Sequence, residues 1–173
     1  HLSSKSVWQF AAFYTTPQNN DEGITTMSEV KHCAMDTRDL VVLLADLAEQ
    51  IETVIGKKGA ISVFRFAGKQ MGKRMASGNA GNEDKARQIV SNFFQQKEFM
   101  DDIELQGYAA QLHGCRIGLV LKERNMQPGS HALCHFGFGL IDGVMEGVTG
   151  KKIITMHVSS EYHPEGITCR ETW

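Results

Sequence analysis

Near the end of the chain, Cys134, His157, Glu161, His163 and Cys169 have the types to do chemistry together. Thiolate sulfur, imidazole nitrogen and carboxylate oxygen form a mixed donor set that zinc or iron accepts. Cys134, His163 and Cys169 would be three ligands, and His157 or Glu161 the fourth. With all four positions filled by protein the metal would be structural; with one open it could do chemistry. The sequence has no CxxC pair, so the set depends on the fold bringing distant residues together. A plainer description uses the same residues: Cys134 and Cys169 are buried thiols, and the histidines are satisfied surface or core side chains.

A helix over residues 131–149 must carry Cys134. Cys134, Phe138, Ile141, Met145 and Val148 recur at intervals of three and four and form one inward stripe. Gly139, Gly143 and Gly147 recur every four residues along another side. Each costs a helix about 1 kcal/mol relative to alanine, so their repetition predicts close approach of a second backbone, a flat ligand or a sheet. Gly150 suits the C-cap. Residues 153–163 then alternate as a strand, with Ile154, Met156, Val158 and Tyr162 on one face and His157, Ser159, Glu161 and His163 on the other. Residues 164–166 turn the chain, and 167–173 return antiparallel, bringing Cys169 beside the donors.

A cysteine, a glycine-rich helix, a strand with an acidic residue, a turn glycine and a final cysteine together resemble the 4-vinyl-reductase domain family. That family includes small hydrocarbon-binding proteins, a bacteriochlorophyll-biosynthesis protein, the sensor domains of phenol-responsive transcription activators and, more distantly, the TRAPP vesicle-tethering subunits. The resemblance covers about residues 60–173 and is most specific between Cys134 and Cys169. It implies an α/β sensor fold that dimerises and encloses a small apolar molecule, often near a zinc held by cysteines. Cys134 and Cys169 match the first and last of those cysteines; the middle one is absent, and His163 or Glu161 stands in its place. The implied pocket would be lined by Phe64, Met71, Met75, Tyr108, Phe136 and Phe138.

Length and composition agree with one soluble domain. The 173 residues are 42% hydrophobic and 22% charged, with a net charge of −2, enough to bury a core without disulfides. No basic run extends beyond the pairs Lys57-Lys58 and Lys73-Arg74, so direct nucleic-acid binding is not expected. No apolar stretch approaches the roughly 20 residues of a membrane span. Four scattered cysteines, Cys33, Cys115, Cys134 and Cys169, fit a reduced, cytoplasmic setting. Residues 1–26 differ from the rest: an aromatic patch (Trp8, Phe10, Phe13, Tyr14) precedes a polar run, and Met27 is a plausible start. They read as an appended arm on a single domain over residues 27–173.

Helices are expected over residues 36–56, where Leu40, Leu44, Leu47, Ile51 and Val54 form a core or dimer stripe ending at Gly56, over 61–76, and over 83–97. Strands are expected over 103–113 and 115–123, the second from the alternation of Cys115, Ile117, Leu119 and Leu121. The resulting class is α+β, an antiparallel sheet packed against helices, 4-vinyl-reductase/TRAPP-like by resemblance. Asp142 and Glu146, one turn apart, fit a solvated helix face. The chain has no GxSxG, no phosphate loop and no dinucleotide fingerprint. The leading expectation is therefore a homodimeric module binding a small hydrophobic molecule, a hydrocarbon, aromatic or tetrapyrrole, braced by the metal. Alternatives are an enzyme or accessory of tetrapyrrole metabolism, with haem on His131, His135 or His157, and a protein scaffold.

Overall fold

The computed structural model describes residues 35–164 and 166–173. The arm expected over residues 1–26, and the domain start at residue 27, lie outside them. Eight elements follow in order: α1 (Thr37–Ala76), α2 (Glu83–Gln96), β1 (Asp102–Gln106), β2 (Ala109–His113), α3 (Arg116–Glu123), α4 (Ala132–Thr149), β3 (Met156–His163) and β4 (Gly166–Thr172). The strands form an antiparallel sheet in the order β1-β2-β4-β3, packed against helices, so the chain is α+β. Among the described residues no helix is long and apolar enough to cross a membrane.

α1 begins where Asp36 accepts the Asp39 N–H at 2.7 Å, and it is interrupted at Gly56 (φ 78°, ψ 160°), a conformation glycine adopts without strain. Its buried residues are small: Val41, Ala45, Ala48, Ala60, Gly68, Gly72 and Ala76. The expected stripe is split: Leu44 and Ile51 pack half-buried against the core, while Leu40, Leu47 and Val54 are exposed. The cause is the closeness of α4. A Cβ on Gly68 or Gly72 would overlap the Phe136 or Leu140 carbonyl oxygen of α4, and one on Gly139 or Gly143 would overlap the Arg65 or Lys69 carbonyl oxygen of α1. The glycine ladder therefore receives a second helix backbone.

Beside the glycines, Asp142 and Glu146 do not form the solvated face expected of them. Asp142 is 2% exposed; its Oδ2 accepts from Arg65 Nε at 2.9 Å and Nη2 at 2.7 Å, and its Oδ1 accepts the Thr155 N–H at 2.6 Å. Glu146 accepts from Lys69 at 2.6 Å and from the Ile153 N–H at 3.1 Å. Both spacings of four run along facing helices, so acids on α4 meet bases on α1 one turn after another.

The sheet half differs from the expected strands in three places. The 103–113 segment is a hairpin, β1 and β2, turning at Gly107 (φ 57°) and Tyr108. The 115–123 segment is helix α3: Ile117, Gly118, Val120 and Leu121 are buried, a helical spacing, and Cys115 Sγ caps the helix by accepting the Gly118 N–H at 3.4 Å. In β3 a bulge between His157 and Ser159 shifts the register. His157 then pairs with Glu171, Ser160 with Cys169 and Tyr162 with Ile167, while Glu161 and His163 pair with Thr168 and Gly166. Because opposed residues share a face, the bulge separates His157 from Glu161 and His163.

Candidate functional site

Phe64 and Met71 on α1, Phe93 on α2, Phe99 just beyond it, and Leu133 and Phe136 on α4 enclose a groove of about 450 Å³. Its walls are apolar, Lys97 contributing only its aliphatic stem. That volume lies in the range of small-molecule sites, roughly 300–1,000 Å³. The aromatic floor is fixed locally: the Phe99 N–H bonds back to the Phe94 carbonyl at 3.0 Å, the Phe93 ring stacks on Phe99 at 6.1 Å, and it meets Phe94 edge-on at 5.4 Å. Of the expected lining residues, the structure brings Phe64, Met71 and Phe136 together here. Phe138 lines a neighbouring cavity, Met75 packs partly buried on the core, and Tyr108 stands 69% exposed at the hairpin tip.

Phe94, Ile117 and Gly137 are shared between the groove and that second cavity, which has a volume of about 30 Å³, room for one or two water-sized molecules. Cys115, Cys134 and Cys169 all line it, with Phe138 and Glu171. Each thiol is placed by a different element. Cys115 caps α3, Cys134 on α4 accepts the Gly129 N–H at 3.3 Å, and Cys169 sits in β4 between Leu112 of β2 and Ser160 of β3.

A chain of polar contacts ends on Cys169. Glu171 Oε1 lies 3.0 Å from His157 Nδ1, His157 Nε2 lies 3.1 Å from Ser160 Oγ, and Ser160 Oγ lies 3.6 Å from Cys169 Sγ. Burial, with the nearby Cys169 charge adding to it, pushes the Glu171 carboxyl up to about 9; burial also pulls the His157 imidazole down. Both shifts favour the neutral forms. In the neutral pair, a Glu171 O–H donated to His157 Nδ1 leaves the Nε2–H toward Ser160 Oγ and the Ser160 O–H toward Cys169 Sγ. The Cys115 thiol donates to Cys169 as well. This bond lowers the Cys169 thiol to about 7, burial opposing it and Ser160 reinforcing it. Cys115 is raised by the same bond and then by burial, and burial pushes Cys134 up to about 12. Of these three thiols, Cys169 alone is shifted toward the thiolate. Gly129 (φ 84°) packs so closely on the His157 ring that a Cβ there would overlap it, which holds the imidazole in line. Glu171 Oε2 is left buried without a partner.

Of the expected metal donors, Cys134, Cys169 and His157 face this inner side of the sheet. Glu161 lies on the outer side, exposed and 3.4 Å from Arg170, and His163 is exposed beside the turn. Among the described residues no group of three or more His, Cys, Asp or Glu side chains is arranged to hold a metal ion. The side chains present do not fit the expected four-donor set, and no chemistry is derived through it. His131 is the α4 N-cap, its Nδ1 accepting the Leu133 N–H at 3.2 Å, and the His135 ring packs edge-on against Phe138 at 5.0 Å; neither joins His157.

Cys115, Ser160 and Glu171 were not expected at the site. Glu171 had a signal, since it stands two residues from Cys169 on one strand and so shares its face. Ser160 had none, because only the bulge turns it inward. Compared with known proteins, the chain matches no family model and no curated protein sequence.

Proposed function

We propose that the chain binds a small hydrophobic molecule, a hydrocarbon, an aromatic or part of a tetrapyrrole, in the groove between α1, α2 and α4, as a sensor or carrier domain. The single observation that carries this reading is the groove itself, about 450 Å³ with apolar walls. Unfilled apolar volume of that size leaves its lining without partner atoms and favours an apolar guest. A guest burying roughly 300 Å² of apolar surface gains about 7 kcal/mol, which places affinity in the micromolar range before association entropy is counted. The resemblance to the 4-vinyl-reductase domain family leads to the same reading.

Titration with the fluorescent apolar probe phenylnaphthylamine tests it. Saturable binding to one site per chain is expected, weakened at least about tenfold by Phe64→Asp, because an unpaired carboxylate in the groove costs more than 1.4 kcal/mol. Binding that is absent in the folded protein, or equal in Phe64→Asp, would overturn the proposal.

A further inference from the structure

We propose that Cys169 is a peroxide-reactive thiol and that Cys115 resolves it, so that a small hydroperoxide converts the pair to a disulfide inside the 30 Å³ cavity. Four observations carry this, none of which depends on the apolar groove holding a ligand. The cavity admits a molecule of one or two water-sized groups and excludes larger oxidants. Two thiols from different elements, the α3 cap and the middle of β4, line that cavity together. Glu171, His157 and Ser160 form a chain of polar contacts, able to pass a proton, that ends on Cys169 and not on Cys115 or Cys134. Finally, Glu171 is 2% exposed and lines the same cavity with an unpartnered Oε2, a polar atom that a small hydrogen-bonding guest would satisfy.

The chemistry balances with the hydroperoxide as the sole oxidant. The Cys169 thiolate attacks one peroxide oxygen, the S–O bond forms and the O–O bond breaks. The departing hydroxide takes a proton from Ser160, replaced through His157 from Glu171, and leaves as water. The Cys115 sulfur then attacks the Cys169 sulfenic sulfur: the S–S bond forms, the S–O bond breaks, and the hydroxide leaves as water with the Cys115 proton, while solvent returns to Glu171 the proton it gave. In sum, two thiols and one hydrogen peroxide give one disulfide and two waters.

The test treats the reduced full-length chain with hydrogen peroxide and maps disulfides without reduction. A Cys115–Cys169 linkage is expected. In Cys115→Ser, dimedone should trap a sulfenic acid on Cys169, and adding Ser160→Ala should slow that trapping by on the order of a hundredfold, the low end of what a positioned proton donor contributes. The proposal is overturned if peroxide oxidises Cys33 while Cys169 stays reduced, if the linkage joins Cys115 to Cys134, or if Ser160→Ala reacts at the unmodified rate.

Discussion

Glu171 shows most plainly how position creates chemistry in this chain. Buried near the end of β4, it meets one side chain, the His157 imidazole. Its folded pKa, about 9, lies above its ordinary value of 4.5. Stability from this group is therefore fully present below about pH 4.5 and is lost as pH rises toward 9. Glu171→Gln keeps a donor toward His157 and removes the titration. Urea unfolding at about pH 5 and about pH 8 should find the natural chain losing on the order of a few kcal/mol relative to Glu171→Gln over that interval. An unchanged difference between the two proteins would show that Glu171 is ionised in the fold. The thiol side of this site was legible in Cys134 and Cys169, whose helical stripe and strand face can be counted. The proton chain was not, because it depends on one inserted residue in β3, and a bulge leaves no mark in an alternating sequence.

Between α1 and α4, glycine spacing and charge spacing say the same thing about how the two helices meet. Gly143→Ala places a methyl group on the Lys69 carbonyl oxygen and forces the helices apart; thermal or urea unfolding should record a loss of about 1–3 kcal/mol or more. Asp142→Ala strands the Arg65 guanidinium and the Thr155 N–H together and should cost about 3–5 kcal/mol. If Asp142→Ala is nearly neutral, the pair belongs to a solvated face after all. The glycine ladder was readable as a demand for close approach, but its partner was not, because α1 meets it with small residues and not with its leucines. α3 escaped for a different reason: over eight residues, Ile117, Leu119 and Leu121 satisfy a period of two while Ile117, Val120 and Leu121 satisfy a helical one. A cap made by cysteine gives little warning, since serine, threonine, aspartate and asparagine are the usual signals.

For the molecule as a whole, the exposed residues Leu40, Leu43, Leu47 and Val54 lie at intervals of three, four and seven along one seam of α1, the pattern of a helix awaiting a second helix. The dimer expected from the sequence would cover them. Leu47→Glu with Val54→Glu should shift sedimentation from dimer to monomer; a natural chain that sediments as a monomer at tens of micromolar would remove the dimer from the account. The α+β class followed from the order of patterns, since the helices expected over residues 36–56, 61–76 and 83–97 precede one antiparallel hairpin and that over 131–149 precedes the other. The groove is a property of the assembled fold, built from residues as distant as Phe64, Phe99 and Phe136, and no local pattern announces it. Its occupancy is most directly tested by methyl NMR of the chain labelled at its eight methionines, titrated with phenylnaphthylamine. The account predicts that the Met71 methyl, in the groove wall, shifts and saturates, while Met156, 59% exposed on the outer face of β3, does not move. A stationary Met71 with shifts at Met156 would place the apolar probe on the surface and contradict the binding function.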